Sequence, residues 1–172
     1  MEVYECVRSR LTVRDFKPDS VPGRIITKLL QAARWAPSSR NRQPWQFIVI
    51  RDRGTLEQIG RIASSGPYIA QAPLAIAVAM ENVNRSELDA GRAVQQLELT
   101  AWSQGLGTCF VGLRDQEQTQ IKELLGIPQE LRLMTVMPLG YPTESARAGS
   151  KRRKPLSEIA HREQFGQKYV TG

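Results

Sequence analysis

An α+β fold, a sheet flanked by helices, is the architecture this sequence predicts, and three observations lead to it. Apolar runs of strand length stand at 46–51, 74–80, 109–111 and 131–140, with helically spaced segments before and between them. The two kinds alternate irregularly, without the even βαβ rhythm of a doubly wound sheet. No internal repeat or flexible linker divides the chain, so its 172 residues are expected to form one domain with a substantial core.

Each element has its own warrant. A first helix is expected over Val3 to Ser9. Pro22 opens a second at the first helical position, and Ile25, Ile26, Leu29, Leu30 and Ala33 then recur on one face until Pro37 marks the end. Gln46 to Arg51 reads as a strand whose unbroken apolar centre, Phe47-Ile48-Val49-Ile50, predicts a place inside the sheet. A short helix over Thr55 to Ala63 stops before Gly66-Pro67, and Leu74 to Met80 is a second strand. Ser86 reads as the N-cap of a long helix, with Asp89 at the capping-box position and Ala90, Ala93, Val94, Leu97 and Ala101 along one side. It runs to Gln104, where Gly105 supplies the stop. Cys109 to Val111 is a third strand, Asp115 caps a helix to Leu125, and Leu131 to Gly140 is a fourth strand. Beyond Pro142 the chain turns polar and basic, with a final short strand near Tyr169-Val170. Residues 143–172 carry too few apolar side chains for a core of their own. They are expected to form an arm draped over this monomer or a partner.

Composition excludes several classes. A hydrophobic fraction of 41% with 24% charged residues is that of a globular protein in water, and no apolar run approaches the roughly 20 residues that span a bilayer. Met1-Glu2-Val3-Tyr4-Glu5-Cys6 lacks the basic region and apolar stretch of a signal peptide, so the cytoplasm is the expected compartment. Cys6 and Cys109 are far apart and His161 is the sole histidine, read as a surface residue. That leaves no zinc constellation, nucleophilic triad or expected disulfide. The net charge of +7 is uneven: 11 Lys/Arg against 5 Asp/Glu in residues 1–53, 6 against 9 in 54–143, and 7 against 3 in 144–172. Basic ends suit nucleic acid or a small phosphorylated ligand. Aromatic residues make up only 6% and do not interleave with the arginines as a base-stacking platform would, which favours the small ligand.

Four segments are candidates for chemistry. Ala36 to Phe47 joins helix to strand and packs Pro37, Ser38, Ser39, Asn41, Gln43 and Pro44 into a rigid polar loop. It suits either a grip on a flat, polar-edged heterocycle or a connection whose Ser and Asn satisfy their own backbone. Arg10, Thr12 and Arg14 set two guanidinium forks around a hydroxyl, fit for phosphate or for a solvated surface. Gly105 to Gly112 contains Gly-x-Gly but no third glycine, and lies between helix and strand, so a dinucleotide fingerprint fails. Lys151-Arg152-Arg153-Lys154 is a basic run, either solvated or paired with an anion.

These segments, in this order, resemble the flavin-binding framework of the nitroreductase family from about Tyr4 to about Ile159. Pro-Ser-Ser-x-Asn-x-Gln-Pro-Trp, at 37–45, is the most specific piece. The resemblance implies a mainly antiparallel sheet, a homodimer with the arm crossing to the partner, and bound FMN. It also implies NADH or NADPH as co-substrate and a small-molecule acceptor such as a nitroaromatic or quinone, with ping-pong turnover. Neither a nucleic acid nor a membrane is an implied partner. By the same resemblance Arg10 and Thr12 take the FMN phosphate side, with Leu11 standing where the family usually has a basic residue. Arg14 reaches the pyrimidine edge as an electrostatic stabiliser. Pro37, Ser38, Ser39 and Asn41 cover the flavin from the other subunit, Cys109, Phe110, Val111 and Gly112 line one face, and an amide near Val111–Gly112 points at N5. Lys151 and Arg153 meet the phosphate, and Gln95 matches a family glutamine that is equally suited to a structural role. No side chain is implied as an acid or base. A non-catalytic FMN-binding protein, storing or sensing the flavin, is the alternative.

Overall fold

The computed structural model describes residues 2–169. Seven helices occur among them: α1 (Val3–Ser9), α2 (Gly23–Arg34), α3 (Arg53–Ile62), α4 (Ser86–Ser103), α5 (Asp115–Leu125), α6 (Glu144–Arg147) and α7 (Leu156–Ile159). The strands are β1 (Trp45–Ile50), β2 (Leu74–Glu81), β3 (Gly107–Thr108) and β4 (Leu131–Gly140), in the order β1-β2-β4-β3, with every pairing antiparallel. Single 3₁₀ turns occupy Ser39–Asn41 and Pro67–Gln71.

The sheet is covered on both faces, and β2 shows how the sequence arranges this. Leu74, Ile76, Val78 and Met80 point to one side, where Leu29 of α2 and Leu97 of α4 pack against them. Ala75, Ala77 and Ala79 point to the other, leaving room for Leu56 and Ile59 of α3 and Ile121 of α5. Buried leucines of this kind contribute about 2–5 kcal/mol each on the scale of truncation to alanine. The β2–β4 register slips between Val78 and Ala79, an irregularity that lies beside Thr135.

The α+β class and the antiparallel sheet agree with the sequence expectation, and α1 and β4 span the residues expected. Several details differ. β1 lies at the sheet edge among the described residues, not inside it. Trp45 is buried in one core and Ile50 in the other, whereas Phe47 and Ile48 are half-buried and Val49 is exposed, so the apolar run does not mark an interior strand. The third strand is Gly107–Thr108, because only these two residues pair with β4; at 109–111 the backbone turns away and Val111 N–H donates to Thr135 Oγ1 instead. Pro22 is the N-cap of α2, one position before its first turn. Arg85, not Ser86, precedes α4, and Asp89 is turned outward from that helix start to the 37–44 loop. Asp115 is the first residue of α5, whose open N–H at Arg114 is met by Glu117.

The arm beyond Pro142 forms α6 and α7, neither of which the apolar pattern announces. Tyr169 is not in a strand, and Val170 lies outside the described residues. Its first part is stitched to the N-terminal segment. Lys17 N–H donates to Tyr141 O, Thr143 Oγ1 donates to Asp15 Oδ2, and Lys151 Nζ donates to Val7 O. The two basic ends of the chain are thereby brought together.

Candidate active site

Residues 10–14 run as an extended strip along β3. Thr12 bridges Thr108 in parallel, and Val13 N–H donates to Thr108 O at 3.0 Å. Gly107 makes this approach possible, since a Cβ there would sit 2.4 Å from the Val13 side chain. Arg10 and Arg14 stand on either side of this bridge, at the two ends of the strip.

At the Arg10 end, a cavity of about 510 Å³ is lined by Tyr4, Val7, Arg10, Gln95, Lys151 and Arg153. A neighbouring one of about 290 Å³ adds Leu11, Thr12 and Ser150 to the same cations. Arg10 is anchored from below by Glu98, with Nη1 3.7 Å from Oε1 and both side chains largely buried. Burial lifts the Glu98 carboxyl above its usual range, and Arg10 pulls it part of the way back. Lys151 is held below the ordinary lysine value, first by burial and then by the charges of Arg10 and Arg153. Glu98 pairs with Arg10, and Lys151 and Arg153 add positive charge beside Arg10 that an anion would relieve.

At the Arg14 end, the guanidinium lies over the Tyr68 ring, 5.7 Å from its centroid, and the Tyr68 hydroxyl is 3.3 Å from Cys109 Sγ. The Tyr68 hydroxyl and then the Cys109 sulfur reinforce the charged form of Arg14. Burial leads in raising the Tyr68 pKa, followed by Cys109, so the phenol stays neutral near pH 7. Further along, Val111 N–H is already committed to Thr135 Oγ1 at 3.1 Å. Gly112 N–H makes no hydrogen bond among the described residues, and a Cβ at Gly112 would meet open space. Of the two amides singled out in the sequence, Gly112 is the one with a donor to spare. Phe110 is half exposed beside it.

The 37–44 loop is built separately. Arg40, Asn41 and Gln43 all take positive φ, at 55°, 55° and 53°, a conformation that disfavours side chains with a Cβ by about 1–2 kcal/mol each. Ser39 N–H donates to both carboxylate oxygens of buried Asp89 at 3.1 and 3.0 Å, and Gln43 N–H donates to Ser38 Oγ at 2.9 Å. Trp45 is buried in the core, which makes it an anchor of the loop. Pro37 and Gln95 line one groove of about 730 Å³ along α4, together with Val3, Leu88 and Leu99. Among the described residues, no hydrogen bond or ion pair joins Ser38, Ser39 or Asn41 to Arg14 or to the 109–112 segment.

The structure thus gathers Arg10, Leu11, Thr12, Lys151 and Arg153, with Gln95 at the edge. It brings Arg14 and Cys109 together through Tyr68 and Gly112 beside them, while the 37–44 loop meets this region where Pro37 shares a groove with Gln95. Sequence reasoning missed Tyr68, Glu98 and Asp89. For Tyr68 there was no signal, because its partner Cys109 is 41 residues away. Glu98 did carry one: it stands four residues after Val94 and three before Ala101, within the apolar side of α4. Asp89 was visible but its bond was assigned to the helix start. His161, expected at the surface, has a buried Nδ1 without a partner and packs on Phe165, 4.5 Å between ring centroids. Cys6 and Cys109 are free and buried, and no helix among the described residues is long and apolar enough to cross a membrane.

What this geometry defines is an α+β protein with a cation-lined cleft at one end of the 10–14 strip and, at the other, an arginine held on a tyrosine. Comparison with known proteins supplies the class. The model of the nitroreductase family matches residues 7–87 and 68–141. A Methanothermobacter thermautotrophicus protein named "Putative NADH dehydrogenase/NAD(P)H nitroreductase" is 34% identical over 152 residues, covering 84% of this chain and 80% of its own. The FMN reductase [NAD(P)H] of Bacillus subtilis is 25% identical, with 95% and 74% covered. An FMN-dependent nitroreductase structure from Clostridium difficile superposes with a TM-score of 0.87 over 94% of this chain and 99% of that one; at 24% identity, it speaks for the fold. The chain belongs to the nitroreductase family.

Proposed function

We propose that this protein is an FMN-dependent oxidoreductase that draws electrons from NADH or NADPH and passes them to flat electrophilic acceptors such as nitroaromatics or quinones. The observation that carries the reading is the 10–14 strip, which has the Arg10–Lys151–Arg153 cluster at one end and, at the other, Arg14 on the Tyr68 turn that also packs on Gly112. It presents cations at one end, and one cation with a bare donor at the other. FMN has that same polarity, a phosphate joined by a polyol to a ring with polar edges. The absence of a dinucleotide fingerprint in the sequence, and the name of the Bacillus subtilis relative, support FMN over FAD.

In this reading Arg10, Lys151 and Arg153 hold the phosphate, with the Thr12 hydroxyl beside them and Leu11 contributing only its backbone and apolar surface. Arg14 faces the N1 and C2 carbonyl edge, and Gly112 N–H donates toward N5 from a backbone that leaves the ring face clear. Pro37, Ser38, Ser39 and Asn41 are supplied to the site by a second copy, consistent with their separation from Gly112 within one chain. Bound FMN would supply the two-electron chemistry in a ping-pong cycle, while the protein binds, orients and sets the field.

The active form is a homodimer with two sites at its interface, each chain contributing one domain over 1–172 and an arm from about 143. Support comes from apolar groups left bare on the single chain: Val3, Tyr4 and Val7 on α1, Leu88 on α4, and Leu156, Ile159 and Phe165 on the arm. The cytoplasm is the compartment we assign. The test is direct: denature the purified protein and identify the released flavin by chromatography. FMN is expected; FAD, or no flavin after reconstitution with excess FMN, contradicts the reading.

A further inference from the structure

We infer that Tyr68 is a positioning residue that aims Arg14 and thereby sets the reduction potential of the flavin; this role rests on the FMN reading above. The turn carrying Tyr68 is packed along the 109–112 segment at three points. Ser65 Oγ donates to Gly112 O at 2.5 Å. Gly66 lies so close that a Cβ would fall 2.6 Å from Val111 Cγ1. Tyr68 Oη sits 3.3 Å from Cys109 Sγ. These contacts fix the Tyr68 ring relative to the segment that carries Gly112, and Arg14 lies on that ring.

The manner of holding is what matters. Among the described residues no carboxylate pairs with Arg14, whereas Arg10 has Glu98. A carboxylate would orient Arg14 and cancel most of its charge. A neutral phenol, by its ring face and its hydroxyl, orients a guanidinium and leaves the positive charge intact. The anionic edge of a reduced flavin needs that uncancelled charge. Tyr68 also restricts a long side chain that otherwise loses much rotamer freedom on ordering, so Arg14 is directed before the ring is reduced.

The experiment uses FMN-reconstituted protein. Oxidised-FMN affinity is measured by fluorescence titration and the two-electron potential by dye equilibration. From these follows the ratio of dissociation constants for oxidised and reduced flavin. Arg14→Gln is expected to lower the preference for the reduced form about tenfold, which converts to about 30 mV. Tyr68→Leu is expected to lower it by about threefold to tenfold, and Tyr68→Phe, which keeps the ring and loses the hydroxyl beside Arg14, by a smaller amount. The double variant Tyr68→Leu with Arg14→Gln should match Arg14→Gln alone, because both changes remove one interaction. An unchanged potential in Tyr68→Leu while Arg14→Gln shifts overturns the role, as do two shifts that simply add. A Tyr68→Phe shift as large as that of Tyr68→Leu overturns the aromatic holding. Wild-type protein that binds no FMN overturns the proposed function itself, an outcome distinct from bound flavin with an unmoved potential.

Discussion

Arg10 and Arg14 lie four residues apart on one strip of backbone, and the protein holds them in opposite ways. Arg10 is pinned by a buried carboxylate, Glu98, and crowded by Lys151 and Arg153. Arg14 has no counter-charge among the described residues and rests on an aromatic ring. A counter-charge fixes geometry and spends part of the field; an aromatic face fixes geometry and preserves it. The first arrangement suits a ligand group whose charge does not change in the reaction, the second a group whose charge appears only on reduction. Affinity and potential should therefore be separable by mutation.

The largest effect is expected at the phosphate end. Arg10→Ala removes a charge-assisted contact worth ~1.5–3 kcal/mol, or roughly tenfold to more than a hundredfold in dissociation constant. Because phosphate meets oxidised and reduced FMN equally, the potential should stay fixed. A potential that moves with affinity would break the comparison.

Arg14→Gln should show the converse, a modest change in oxidised-FMN affinity with a potential lower by about 30 mV, equivalent to ~1.4 kcal/mol. Dye-equilibrated titrations on this variant and Arg10→Ala in one buffer sharpen the contrast. Equal shifts in both, or in neither, contradict the division.

A smaller effect, about 1 kcal/mol or less, is expected from Glu98→Gln, read in the pH dependence of stability. The native Glu98 carboxyl binds its proton more tightly than the unfolded one. Its contribution to stability is thus most favourable below the ordinary glutamate value and declines as pH rises through the raised native value. Urea midpoints taken across that interval should fall less steeply in Glu98→Gln than in wild type. Parallel profiles would show that the carboxylate is not buried with an unfavourable charge.

The 37–44 loop offers a further comparison, between strain and support. Asp89→Ala removes the acceptor of Ser39 N–H and should release the positive φ angles at Arg40, Asn41 and Gln43. Limited proteolysis is expected to cut the variant in this loop faster than wild type, with the rest of the digest unchanged. Equal cleavage rates would place the loop's support elsewhere.

What could be read in the sequence followed from periodicity and local chemistry. Val3–Ser9 and Leu131–Gly140 emerge with their observed bounds because spacing and flanking residues act within a few positions. The cations Arg10, Lys151 and Arg153 were legible as types, and their convergence followed from basic ends around an acidic middle. The Cys109–Val111 strand was misread because β-forming residues there give their backbone to Thr135 rather than to a ladder. The apolar run of β1 suggests an interior strand, but side-chain polarity says nothing about the number of hydrogen-bonded neighbours, and Val49 in that run is exposed. Tyr68 was out of reach, since its role depends on two partners, Arg14 and Cys109, each more than forty residues distant in the chain.

The central proposal, that this chain is an FMN-dependent oxidoreductase driven by NADH or NADPH, is tested most directly by the visible spectrum of the FMN-reconstituted protein before and after anaerobic NADPH, repeated with NADH. The account predicts a yellow protein whose flavin absorbance bleaches with at least one of the two and returns when a quinone is added. A bound flavin that neither nicotinamide bleaches would contradict it and leave a protein that holds FMN without turning it over.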